Sequence, residues 1–166
     1  MGVEVSGKTL GIVGCGSIGK TVERMAMALG MKVVGVDMCV YGRFVTLEEM
    51  LPQADFITVH VPLTPQSRHM VSTKEFDMMK DGVMLVDCSR GGVVDQEALY
   101  DALMSGKVKA AALDVFEEEP PKNSKLLKLK NVHATPHIGA QTFEAQLKSS
   151  VLIAERVIEA LEKAVS

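Results

Sequence analysis

The run Thr9-Leu10-Gly11-Ile12-Val13-Gly14-Cys15-Gly16-Ser17-Ile18-Gly19, followed by Asp37 18 residues past its last glycine, decides the fold. Five strand-like residues lead into a GxGxxG turn, and apolar residues then recur at helical spacing at Ile18, Val22, Met25 and Leu29 before Gly30 closes the helix. Strand, glycine turn and helix in this order open a βαβ unit of the dinucleotide-binding kind. Gly14 permits the tight turn, Gly16 lets the backbone approach a pyrophosphate, and Gly19 lets the helix pack close to the strand. The N–H groups at the start of the helix face the phosphates. Asp37 ends the second strand, where a carboxylate accepts hydrogen bonds from both ribose hydroxyls and repels a 2′-phosphate, so NAD is expected rather than NADP. Glycines serving only a tight turn would leave Asp37 without a role.

Outward from this run, short β-branched stretches alternate with helical patterns. Strands are expected at 9–13, 32–36, 55–59, 83–87, 110–115 and 132–134, giving six βα units. Thr46-Leu47-Glu48-Glu49 and Ser72-Thr73-Lys74-Glu75 have capping-box form, and Gly106 stops a helix over 95–105. Strands with little polar alternation, such as Phe56-Ile57-Thr58-Val59, suit a sheet covered on both faces. The expectation is a doubly wound parallel sheet, the Rossmann fold, as a single domain over residues 1–166. Ligands of such sheets bind outside the carboxyl ends of the strands.

With 166 residues, 47% of them hydrophobic, and 18 basic against 21 acidic side chains, the chain has the makeup of one globular domain. A net charge of −3 gives no general attraction to nucleic acid or to an anionic membrane. No apolar run reaches the ~18 residues of a membrane span, and Met1-Gly2-Val3-Glu4 lacks the build of a signal peptide, so a cytoplasmic protein is expected. Cys15, Cys39 and Cys88 have no CxxC spacing and read as small buried residues. Among the eleven methionines, Met25, Met27, Met78, Met79 and Met84 read as core filling.

Three strand ends carry groups suited to a reaction on a 2-hydroxy acid. Arg90, after the fourth strand, can hold a carboxylate or polarise a carbonyl oxygen. Asp114 ends the fifth strand, and Glu119 follows five residues on. His137 follows the sixth; an acidic partner on one ring nitrogen would orient the imidazole while the other exchanges a proton with the substrate oxygen. Each residue taken singly could be structural: an ion pair, one carboxylate of the exposed run 117–119, a cap donor. A zinc site from His133 and His137 is disfavoured because Pro136 interrupts any helix between them, and no metal is expected. His60 and His69 have no partner pattern.

Taken together, Gly-Cys-Gly-Ser-Ile-Gly at 14–19, Cys-Ser-Arg-Gly-Gly-Val-Val-Asp at 88–95, Ala-Ala-Leu-Asp-Val-Phe-Glu-Glu-Glu-Pro-Pro at 111–121 and Pro-His-Ile-Gly-Ala at 136–140 resemble the NAD-dependent D-isomer-specific 2-hydroxyacid dehydrogenases. The run Gln141-Thr142-Phe143-Glu144-Ala145-Gln146 is most similar to the branch acting on 3-phospho-D-glycerate, at the start of serine biosynthesis. The resemblance implies that Arg90 binds the substrate carboxylate and carbonyl, His137 is the acid/base and Glu119, immediately before Pro120, is its partner. It also implies that Ser17, Ile18 and Asp37 contact the adenosine half of NAD. Val61, Cys88, Ser89 and Arg90 would then line the nicotinamide side, Asp114 would bond the carboxamide, and His137, Ile138, Gly139 and Ala140 would complete that wall.

Two departures from the family accompany these matches. Only eight residues precede Thr9, where the family builds most of its substrate domain, so that domain is expected to be absent and the isolated chain to turn over poorly. The loop 38–45 is also shorter than the family's connection around adenine. A last helix over 141–164 carries Phe143, Leu147, Val151, Ala154, Ile158 and Leu161 at helical spacing, widened by Leu152, Ile153 and Val157; one way to cover such a face is a homodimer. The alternative reading is a non-catalytic NAD(H)-binding module or sensor. A methyltransferase would leave Arg90, Glu119 and His137 without roles.

Overall fold

The structure, a computed structural model, describes residues 2–36 and 45–165; Asp37, Cys39 and the rest of the loop after the second strand lie outside the described residues. Six strands form one sheet: β1 (Thr9–Val13), β2 (Lys32–Val36), β3 (Phe56–Val59), β4 (Val83–Asp87), β5 (Val108–Leu113) and β6 (Val132–Ala134). Every pairing is parallel and the order is β2-β1-β3-β4-β5-β6. The chain order reverses between β1 and β3, which puts the crevice for a ligand at the carboxyl ends of those two strands.

Helices α1 (Ser17–Ala28), α2 (Leu47–Met50), α3 (Thr73–Met78) and α4 (Gln96–Ser105) complete the crossovers. Two cores lie on opposite sheet faces. Leu10, Ile12, Cys15 and Ala26 pack under α1, while Val13, Ile57, Val59, Leu85 and Leu113 pack with Met50, Phe76 and Leu99 from α2, α3 and α4. This is the doubly wound parallel sheet expected from the apolar strands. Thr46 and Glu49 form the reciprocal cap, with Glu49 N–H donating to Thr46 Oγ1 and Thr46 N–H to Glu49 Oε2. Gly106 stops α4 in the left-handed conformation at φ 81°.

Three local expectations are corrected. The connection from β5 to β6 is a 3-10 turn, Leu126–Lys128, in place of a fifth crossover helix; Pro120, Pro121 and the polar run behind them bring only Leu126 into the core. On α1 the stripe Ile18, Met25 and Leu29 faces solvent, and Met27 is exposed as well. The buried positions are Gly19 and Ala26, because the helix sits so close to the sheet that a Cβ at Gly19 would collide with the Gly14 carbonyl. Of the cysteines, Cys15 is buried but Cys88 is exposed.

By contact density the chain divides into two compact units, Met1–Pro136 and His137–Ser166. The first contains the whole sheet. The second is the turn 137–142 and helix α5 (Phe143–Val165), whose Phe143, Leu147, Val151, Ile153, Val157 and Leu161 are exposed. Among the described residues no helix is long and apolar enough to cross a membrane.

Candidate cofactor and active site

Gly14 leaves β1 at φ 98°, a conformation that disfavours a side chain, and the space beside it is filled by the start of the next loop. A Cβ there would stand 2.8 Å from Val61 Cγ1 and 2.9 Å from the His60 carbonyl carbon. The glycine turn after β1 and the loop after β3 are thereby pressed together at the reversal of strand order. Gly16 is different: a Cβ added to it would meet nothing within 4 Å. Gly16 is the N-cap of α1, and no side chain caps the helix. An exposed, uncapped N-terminus behind a glycine with open space above it fits a pyrophosphate. Ser17 and Ile18 follow it, both exposed.

The loop after β4 is built on a buried carboxylate. Asp87 Oδ1 accepts the Ser89 N–H at 2.9 Å and the Ser89 hydroxyl at 2.5 Å. Burial pushes the Asp87 carboxyl above its ordinary range, and the two Ser89 hydrogen bonds only partly oppose this. The turn held in this way presents Cys88 and Arg90 to solvent. Arg90 Nη1 donates to its neighbour's carbonyl, Ser89 O, at 2.6 Å. Partial burial, then the charges of Asp114 and Asp87, raise the Cys88 thiol, which keeps it protonated at neutral pH.

After β5, buried Asp114 donates its N–H to Asp87 O at 2.9 Å and accepts the Thr135 hydroxyl at 2.5 Å, so the ends of β4, β5 and β6 are joined. Glu119 Oε1 accepts the Phe116 N–H at 3.1 Å, folding the acidic loop back on itself. The loops bearing Arg90 and Glu119 meet directly. A Cβ at Gly91 would overlap the Phe116 carbonyl and stand 2.7 Å from Glu117 N.

Arg90, Glu119, Asp114, Val61, Cys88, Ser89 and the glycine turn all belong to the first unit. His137, Gly139 and Ala140 open the second, where His137 adopts a positive φ of 54°. Gln141 N–H donates to Ile138 O, the Gln146 amide donates to Ala140 O, and Ala145 N–H donates to Thr142 Oγ1. These bonds shape the turn that carries His137 into α5.

The sequence matches a known protein family. The family described as D-isomer specific 2-hydroxyacid dehydrogenase, NAD binding domain, covers residues 1–139. The chain belongs to the D-isomer-specific 2-hydroxyacid dehydrogenases. It is 46% identical over 169 residues to a D-3-phosphoglycerate dehydrogenase of Methanocaldococcus jannaschii, covering 96% of this chain and 32% of that one. It is also 46% identical over 168 residues to a hydroxypyruvate reductase of Thermotoga maritima, covering 96% and 55%. A glyoxylate reductase structure from Paecilomyes thermophila superposes with a TM-score of 0.94 at 37% identity, over 99% of this chain and 52% of that one. The chain thus spans about a third to about half the length of these dehydrogenases. NAD is the cofactor of this domain, as the glycine turn suggested.

Sequence reasoning passed over three residues whose contacts shape these loops. Asp87 closes the fourth strand, as Asp37 and Asp114 were expected to close the second and the fifth, and that parallel in the sequence is the signal that could have found it. Thr135, one residue past β6, had no such signal. His69, read as lacking partners, lies 3.8 Å from Asp95 and 3.3 Å from Glu117. Those partners are remote in sequence, so spacing could not reveal them.

Proposed function

We propose that residues 1–166 act as the NAD-binding domain of an oxidoreductase that transfers a hydride between NAD and a D-2-hydroxy acid, with 3-phospho-D-glycerate as substrate, in the cytoplasm. The observation that carries the reading is the abutment of the Arg90 loop on the Glu119 loop through Gly91 and Phe116, in the same unit as an uncapped glycine turn. NAD, when bound, supplies the hydride acceptor. In this reading the N–H groups of Ser17 and Ile18 hold the pyrophosphate, and Asp37 holds the ribose. In the same reading Arg90 binds the carboxylate and carbonyl oxygens with its planar fork. His137 takes the hydroxyl proton at the substrate oxygen on oxidation and returns it on reduction, while Glu119 orients the imidazole through its other nitrogen. Phosphoglycerate is favoured by the run 141–146, and the equally similar hydroxypyruvate reductase names the competing substrate. The exposed apolar face of α5 supports a homodimer as part of the same reading.

Fluorescence titration tests the cofactor half: NADH binds and NADPH binds much more weakly, and Asp37→Ala narrows the gap. Equal binding of both cofactors to the unaltered chain would overturn the Asp37 assignment. A panel of D-2-hydroxy acids, offered to the chain with the family's substrate domain supplied in cis or in trans, tests the chemical half, with turnover expected to vanish in His137→Ala. Normal turnover by that variant would remove the acid/base role.

A further inference from the structure

His69 sits between the two loops that bear the candidate catalytic groups and belongs to neither. Its backbone is left-handed at φ 50°, an uncommon conformation for a residue with a Cβ, and its N–H donates to Gly92 O at 2.8 Å. The ring then spans two carboxylates, with Nδ1 3.8 Å from Asp95 Oδ2 and Nε2 3.3 Å from Glu117 Oε1. Asp95 is already fixed: it caps α4 by accepting the N–H groups of Glu97 and Ala98, and it accepts the Ser72 hydroxyl at 2.9 Å. Glu117 lies in the acidic loop, and a cleft of about 260 Å³ opens beside it, lined in part by Gln96, Tyr100 and Glu118.

All three side chains are about a quarter to two-fifths exposed, so these ion pairs add little to stability, while the left-handed backbone opposes it. Stability alone therefore does not account for the arrangement. Its geometric effect is to tie the loop 115–120 to the start of α4. We propose that His69 is a positioning residue: through Glu117 it holds the acidic loop, and with it Glu119, in register with the arginine loop. The proposal rests on the reading of Glu119 as the partner of the acid/base. A protonated ring attracts both Asp95 and Glu117 by charge, whereas a neutral ring carries no charge to hold either. Among the described residues, the charged groups paired with it are Asp95 from the α4 cap and Glu117 from the acidic loop; Arg68 precedes it in the same turn, with Nη1 3.6 Å from where a Gly92 Cβ would be.

The test is an NMR titration of the full chain from about pH 5 to about pH 8, the range in which a histidine changes charge. It follows the His69 ring and the amides of Phe116, Glu117 and Glu119. Those amides are expected to shift with the same midpoint as the ring and to lose that shift in Glu117→Gln, with the Glu97 and Ala98 amides unmoved. His69→Asn, which tolerates the left-handed backbone, keeps the fold and is expected to displace the acidic-loop amides at all pH values. Acidic-loop amides that ignore the His69 midpoint, or that stay in place in His69→Asn, would overturn the proposal. In turnover, measured with the family's substrate domain supplied in cis or in trans, His69→Asn is expected to lower kcat several-fold with NADH affinity retained. An unchanged kcat in that variant, where His137→Ala is inactive, counts against His69 alone. Coupled amides without any His137-dependent turnover would sink the catalytic reading and leave the tie between the loops standing.

Discussion

Gly91 packs against the carbonyl of Phe116, with no room between them for a methyl group. Through that contact the arginine-bearing loop after β4 and the glutamate-bearing loop after β5 meet backbone to backbone. Close backbone packing is stiff, which suits groups that must keep a fixed separation while a proton and a hydride move.

Gly91→Ala should therefore destabilise the chain by about 1–3 kcal/mol, since the backbone on the other side cannot yield as a flexible side chain would. Gly16→Ala, whose new methyl meets open space, should leave the denaturation midpoint unchanged. Equal losses in urea unfolding would contradict this distinction.

At Gly16 the loss should appear in binding. A valine there places two methyl groups where the pyrophosphate approaches the α1 N-terminus, and NADH affinity is expected to fall by roughly tenfold or more. Calorimetry showing wild-type affinity would remove the phosphates from this turn.

Asp87 gives a stability effect with a definite sign. Its folded-state pKa is raised by burial, so the folded chain holds the proton longer than the unfolded one, and stability declines as pH rises above the ordinary value of 3.8. Asp87→Asn keeps an acceptor for the Ser89 N–H and hydroxyl and removes that penalty. Melting temperature should rise by several degrees at neutral pH, with the gain fading toward acid. A loss at neutral pH would refute it.

Asp55 works in the opposite direction, at the amino end of the sheet. It accepts the Thr9 N–H at 2.8 Å and pairs with Lys80 at 2.9 Å, contacts that hold its carboxyl below 3.8. The stabilisation is complete above that value and is lost as pH falls through the lower, folded-state pKa. Asp55→Asn should cost about 1 kcal/mol at neutral pH and nothing in strong acid, as read from pH-dependent melting.

Much of the architecture was legible because it is local. The turn at Gly14 to Gly19, the capping pair Thr46 and Glu49, and the stop at Gly106 each depend on residues a few positions apart, whose conformational preferences act without the rest of the chain. The α1 stripe misled for a physical reason. Periodicity marks Ile18, Met25 and Leu29 as one face, but the sheet approaches the face with the smallest residues, Gly19 and Ala26.

Motif and spacing alone were sufficient for a parallel sheet, a dinucleotide turn and the identity of Arg90, Glu119 and His137 as residues to watch. The fold had to decide what stands next to them. Gly91 against Phe116, Asp87 beneath Ser89, Thr135 on Asp114 and His69 between Asp95 and Glu117 are mostly contacts between loops that leave different strands. Parallel pairing brings those strand ends to one edge of the sheet. Their juxtaposition is a consequence of strand order and register, which no local stretch of chain encodes.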